Sequence, residues 1–402
     1  MAPTTDVIVV GGGYAGVVAA NRLTTNAQVR VTLVNPRGFF VERLRLHQRT
    51  VGTHEAVVDY SEVLAPAVGL TVDEVTRIDA GSRTLELAAG GTVGYDYLVY
   101  AVGSHDAPAT VPGVAEHAYP LATLEQAQAL DGALEAAGPA APVTVVGGGA
   151  TGIEVAAELA ELGRPVTLVT GGQLGPYLHP SARREVARQL DRLGVTVLEG
   201  AGGLVTAVDR GAVQLADGSW LPSAVTVWTA GFGVPDLARR SGLSTDALGR
   251  LLTDETLTSV DSERVVAAGD AAAPSGVPYR MCCATALPLG AHAAETVLRR
   301  VGGREPRPVA VPTLGQCLSL GRRAGVLQLA RRDDAVLPVH AGGRLGAWFK
   351  ETITAGNRSS LGFVARHPRL IGAMTAVQDP RRERLLQDLS PAPVAVRGGR
   401  AD

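Results

Sequence analysis

The sequence predicts an α/β protein: two parallel, doubly wound folds, followed by a small α+β C-terminal domain. Three observations carry this. A strand, a glycine turn, a helix and a second strand open the chain; the same unit recurs 136 residues later, from Gly11 to Gly147; and beyond about residue 305 the pattern changes to short alternating segments.

Taken in order, residues 6–10 (DVIVV) read as a buried strand, GGGYAG as the turn, and the apolar run to Leu23 as a helix. VRVTLVN then forms a second strand ending at Asn35. Residues 39–52 (FFVERLRLHQRTVG) predict a helix, and residues 83–103 a hairpin-like region ending at Gly103. The Ala-rich, Pro-containing stretch from about 106 to 142 reads as a linker plus a helix, before the βαβ pattern restarts at PVTVVGGGATGIEVAAELA. A third apolar strand, ERVVAAGD, closes on Gly269-Asp270. RAGVLQLARRDDAVLPVH suggests an antiparallel sheet, a helical stretch follows, and the Pro/Gly/Arg-rich residues 391–402 are expected to be a disordered tail.

Composition bounds the function. The 402 residues are 46% hydrophobic and 19% charged with a net charge of −2, an ordinary globular balance with no positive field to recruit nucleic acid or anionic lipid. Lys350 is the one lysine among many arginines. Cys282, Cys283 and Cys317 make no C-x-x-C pair, so a disulfide framework or dithiol centre is not expected, nor is a metal site. No apolar stretch reaches the ~20 residues of a membrane span, and the cytoplasm is the expected compartment.

Two glycine motifs carry the chemistry. In Gly11-x-Gly13-x-x-Gly16 the first glycine permits a tight turn and the second lets backbone approach a pyrophosphate. The third lets helix and strand touch, and the helix start, with Tyr14 and Ala15, offers N–H groups to phosphate. Asn35 stands where an acid usually holds ribose hydroxyls, and its amide is expected to do so more weakly. Gly147-x-Gly149-x-x-Gly152 repeats the arrangement, with Glu154 following. Its second strand ends in Thr170-Gly171-Gly172, without an acid to select NAD; Arg183 and Arg184 lie further on, so the choice between NADH and NADPH stays open. Both motifs sit in Rossmann-like dinucleotide-binding contexts.

Gly11 to Gly16, YDYLVYAVGS through Gly103, Gly147 to Gly152, AVTVWTAGF around Gly231 and VVAAGD ending at Asp270 occur in an order that resembles the pyridine nucleotide-disulfide oxidoreductase-like flavoproteins. The likeness is greatest to the branch of apoptosis-inducing-factor-like proteins, ferroptosis suppressor protein and type II NADH dehydrogenases, over roughly residues 6 to 300. It implies an FAD-binding domain of residues 1–112 and 240–304, an NAD(P)H-binding domain of 113–239, the second Rossmann-like fold inserted into the first, and a C-terminal domain of 305–390. In such proteins nicotinamide passes hydride to the flavin. Two departures matter: Val41 to Gln48 replaces the redox dithiol, which argues out thiol-disulfide exchange, and CCATALPLGAHAAE replaces a glutamine-containing quinone-site helix.

By the resemblance, Arg45 and His47 lie on a helix covering one flavin face, His47 as proton donor, base or covalent attachment point and Arg45 as counter-charge to reduced flavin; structural roles compete for both. Glu154 resembles a glutamate beside nicotinamide or flavin, against the blander reading of a helix-start carboxylate. Cys282 and Cys283 read as small buried hydrophobes and His292 as structural. Residues 366–393 read as helices with a wet face, ahead of a peripheral membrane surface. The function expected is an FAD-dependent NAD(P)H oxidoreductase passing electrons to a small acceptor such as a quinone. The alternative is an oxidase, dehydrogenase or cyclase acting on an organic metabolite with little use of NAD(P)H. A flavin-binding interaction protein is a third reading, which the near-neutral charge disfavours, and homodimerisation is common among the relatives resembled.

Overall fold

The computed structural model describes residues 4–107, 110–370 and 380–389. Strand Thr5–Val10 pairs in parallel with Val29–Asn35 on one side and Tyr97–Tyr100 on the other, and the sheet is completed by Val68–Val72 and Val265–Ala267 at its edges. Both faces are covered, which is why DVIVV is a continuous apolar run. Val7 and Val9 point into one core with the helix Tyr14–Leu23 and the long helix Cys283–Val301; Ile8 and Val10 point into another with Ile78 and Leu85 of a three-stranded antiparallel sheet.

The second parallel sheet runs Ala118–Pro120, Val225–Trp228, Val143–Val146, Val166–Thr170, Thr196–Glu199. All five of its strands lie in sequence between Tyr97–Tyr100 and Val265–Ala267, neighbouring strands of the first sheet, so one fold is inserted into the other. The chain crosses at residues 105–106 and 232–233, and the crossings pair antiparallel. After the long helix, three antiparallel strands (Gly315–Ser319, Gly325–Ala330, Val336–Ala341) precede a 24-residue helix, Gly343–Arg366. Leu318, Leu320, Ala324 and Val326 of this last unit share one apolar core with Ile153, Val155 and Leu159 of the helix after the second glycine turn.

One expected element differs. Residues 39–52 form a short strand (Phe39–Val41), a 3₁₀ turn (Arg43–Arg45) and a single helical turn (Leu46–Arg49) rather than one helix. Phe39–Val41 pairs with Val57–Asp59 and Phe40 is fully buried, so tertiary pairing overrides the helical pattern. The tail at 391–402 lies outside the described residues.

Candidate functional site

The two glycine motifs fold alike. Gly11 and Gly147 take φ of +102° and +121°, and a Cβ on Gly11 would lie 2.3 Å from the Ala101 carbonyl oxygen. Gly16 and Gly152 pack on the motif's own first carbonyl, where a Cβ would fall 1.8 and 1.9 Å from the oxygens of Gly11 and Gly147. Gly13 and Gly149, by contrast, face open space with nothing within 4 Å of a Cβ. Each opens a helix, Tyr14–Leu23 or Ala150–Glu161, with no side-chain cap and no acid in the first turn. Uncapped N–H groups at a helix start, fronted by open space, fit a pyrophosphate. The residues present therefore fit a dinucleotide at each turn.

Around the first turn, Asn35 is buried; its Oδ1 accepts from the Gly12 N–H at 2.9 Å and its amide donates to the Arg37 carbonyl at 2.8 Å. Its polar atoms thus brace the glycine loop, a use the sequence reading did not foresee. Tyr14 is buried with its ring edge-on to Phe40, centroids 5.1 Å apart. Gly269 stands beside Ala15, so close that a Cβ there would meet the Ala15 side chain at 2.9 Å, which brings Asp270 to the start of the first glycine helix. Ser104, just after Gly103, donates to Asp270 at 2.6 Å and accepts from Arg43 at 3.2 Å. Arg43 and Ser104 were not singled out from the sequence, although Ser104 closes the quoted YDYLVYAVGS segment.

At the second turn a carboxylate stands on the neighbouring strand. Glu199 is the register partner of Thr170 and accepts from the Leu174 N–H at 2.5 Å, bracing the loop that folds back to the Gly148 carbonyl. Arg183 spends a guanidinium nitrogen on the Leu178 carbonyl, and Arg184 is exposed.

A buried polar cluster joins the helix after the second turn to the His47 turn and the C-terminal unit. Glu154 and Lys350, each 7% exposed, form an ion pair at 2.8 Å. The same carboxylate accepts from the Ser319 N–H at 3.0 Å and has His47 Nδ1 at 3.7 Å; His47 Nε2 meets the Ser319 hydroxyl at 3.2 Å. Burial pushes the Glu154 carboxyl up, but the Lys350 ammonium, the His47 ring and Ser319 outweigh it and hold it below the ordinary range. Burial alone would lower the Lys350 ammonium, and Glu154 raises it instead. The pair is charged.

Burial, aided by Lys350, Arg322 and Arg45 and opposed by Glu154, pulls His47 down to about 4, so it is neutral at physiological pH. Both its ring nitrogens face Ser319 and Glu154. Glu154 is the fifth residue of its helix, beyond the first turn, which rules out the helix-start reading. One turn on, burial raises the Glu158 carboxyl to about 7 in spite of Arg322 at 3.3 Å. Arg45, expected to be solvated or a flavin counter-charge, is instead buried and bonded to Glu351 at 2.6 Å and Gln48 at 2.8 Å, fastening its turn to the C-terminal helix. Cys283 is held protonated, its thiol pushed to about 12 chiefly by burial, and His292 Nε2 bonds the Arg307 carbonyl.

The cluster opens on a cavity of about 530 Å³, with Gln48, Ser319, Lys350 and Glu351 on its inner wall and Arg322, Arg323, Arg344 and Trp348 around them. It is bounded by the His47 turn, the C-terminal sheet and the C-terminal helix, three pieces far apart in sequence.

The chain matches the model of the pyridine nucleotide-disulphide oxidoreductases over residues 5–295. It is 32% identical over 352 residues to an NADH dehydrogenase-like protein of Mycobacterium tuberculosis, covering 80% of this chain and 87% of the relative. To a type II NADH:quinone oxidoreductase of Staphylococcus haemolyticus it is 25% identical, covering 81% and 90%. Among solved structures, the Plasmodium falciparum NDH2 in complex with NADH superposes with a TM-score of 0.75 at 15% identity, covering 90% of this chain and 97% of that one, a likeness of fold.

Proposed function

The chain belongs to the pyridine nucleotide-disulphide oxidoreductase family, as an oxidoreductase with FAD and NAD(P)H as cofactors, and from that premise we propose that it is an NADH:quinone oxidoreductase. The observation that carries this is the buried Glu154–Lys350 pair with His47 and Ser319, at the helix that follows the second glycine turn and beside a cavity. The quinone acceptor is supported by relatives named as NADH:quinone oxidoreductases.

In this reading the helix start at Gly13 holds the FAD pyrophosphate, with Asp270 and Ser104 beside it, and the helix start at Gly149 holds that of the nicotinamide cofactor. FAD, when bound, supplies the two-electron chemistry that links nicotinamide to acceptor. Overall, NADH, one proton and quinone give NAD⁺ and quinol. The chain's own part is to position, exclude water and move protons. Lys350 presents a cation at the cavity wall, one of its three donors engaged by Glu154 and the others open to a quinone oxygen that gains negative charge on reduction. Glu154 holds that ammonium in place and charged. His47, neutral, keeps the Ser319 hydroxyl oriented, and Glu158, raised to about 7 by burial a turn away, can hold a proton near neutrality beside the Arg322 guanidinium.

Preference for NADH rests on Glu199, whose carboxylate at the sheet edge beside Thr170 repels a 2′-phosphate. An anaerobic stopped-flow mix of the FAD-loaded enzyme with NADH and with NADPH, followed by menadione, is the test. Flavin bleaching faster with NADH by about tenfold or more, and re-oxidation by menadione, is the expected result. A flavin that stays oxidised with both nucleotides overturns the reading and turns the search to an organic electron donor.

A further inference from the structure

Resting on the quinone-reductase reading, we propose that the preferred acceptor is an aromatic molecule bearing an anionic group, carboxylate or sulfonate in kind, received by Arg323 and Arg344 at the cavity rim. The cavity wall carries four cations, Arg322, Arg323, Arg344 and Lys350, and one acid, Glu351. Two of the four cations are compensated: Lys350 by Glu154 at 2.8 Å, and Arg322 by Glu158 and Glu351, each at 3.3 Å. Glu351 is further shared with Arg45. Arg323 and Arg344 are exposed and have no ion-pair partner among the described residues, so the cavity keeps two uncompensated positive charges.

Their placement is specific. Arg323 comes from the turn between strands Gly315–Ser319 and Gly325–Ala330, and Arg344 from the opening turn of the C-terminal helix. A cation at a helix start is disfavoured by the dipole, and this helix has no side-chain cap and no acid in its first turn, the Glu185 carboxylate that packs on Gly342 being paired with Arg188. Trp348, one turn on from Arg344 and 59% exposed, offers a flat apolar face on the same rim. Two guanidinium forks flanking an indole match a ring with an anionic substituent. The ring then stacks by Trp348 with its redox-active oxygens toward Lys350, and the field of the arginines speeds encounter.

The experiment uses the full-length FAD-loaded enzyme with NADH and compares 1,4-naphthoquinone-2-sulfonate with menadione, at about 20 mM and about 500 mM salt. The readout is the ratio of their kcat/KM values, which cancels effects common to both quinones. We expect that ratio to fall about tenfold in Arg323→Gln/Arg344→Gln and to fall similarly at high salt in the wild type. Arg77→Gln/Arg210→Gln, which removes equal charge from exposed sites remote from the cavity, should leave it in place. A ratio unmoved by the rim variant, or moved equally by the remote one, overturns the inference while leaving quinone reduction standing. Loss of binding to anionic phospholipid vesicles in the rim variant, with the ratio unchanged, overturns it in favour of a lipid-facing role. No turnover of either quinone by an enzyme whose flavin NADH bleaches removes the quinone reading and this inference with it.

Discussion

Lys350 and Glu154 are worth most when considered together. Removing one member of a buried, hydrogen-bonded ion pair leaves the other charged group without compensation, at a cost of about 3–5 kcal/mol. Lys350→Met should therefore lower stability by that order and cut menadione turnover at least tenfold, with flavin bleaching by NADH less affected. Adding Glu154→Gln should restore much of the stability and none of the turnover; thermal melting and stopped flow read the two. His47 gives a pH signature. Its folded value of about 4 lies below the ordinary 6.5, so between those limits the unfolded chain binds more protons and stability falls as pH falls. The loss reaches about 2 kcal/mol by pH 5. Glu158, raised to about 7, acts with the opposite sign over a similar window, so the test is a difference: His47→Gln should melt with a smaller penalty at pH 5 relative to pH 7 than the wild type. At this scale the sequence named His47, Arg45 and Glu154 but not their partners. Lys350 and Ser319 lie 196 and 165 residues from Glu154 and belong to no motif, so only packing reveals them.

At the scale of the element, the glycine turns were legible because their demands are local. A positive φ, a close approach and an uncapped helix start each leave a residue type behind, and both turns fold as the spacing requires. The turns also separate ligand contact from folding. Gly13 and Gly149 have φ near −80° and open space, so Gly13→Ala and Gly149→Ala should fold with the wild-type melting temperature. Gly13→Ala should bind FAD at least tenfold more weakly, read as flavin content after dialysis. Gly149→Ala should keep its flavin and raise the KM for NADH about tenfold. Less legible were residues 39–52, whose helical pattern yields to strand pairing, and the acid near the second turn: the strand ending at Thr170 carries none, and register pairing sets Glu199 of the next strand beside Thr170.

For the whole molecule, the C-terminal unit is fastened to the second nucleotide fold as well as to the first. Gln328, fully buried, donates to the carbonyls of Leu329 and Leu337 and accepts from the His179 N–H, the cap of the helix Pro180–Arg192. Gln328→Leu strands those groups and should destabilise by about 2 kcal/mol. Because the tie also positions the cavity wall, menadione KM should rise with it, while flavin content stays unchanged; melting and steady-state kinetics check both. Among the described residues no helix is long and apolar enough to cross a membrane.

What the sequence determined by itself was the pair of nucleotide folds and the antiparallel unit after residue 305. These follow from short-range rules, apolar periodicity and glycine spacing, that act within a few dozen residues. Only the tertiary structure decided the chemistry between the folds. It set the charge of Glu154, the neutrality of His47, the position of Glu199 beside Thr170 and the charged rim of the cavity. Each of those depends on burial and on partners brought together across more than a hundred residues, or from a neighbouring strand, and desolvation and register are properties of the packed chain with no local residue code.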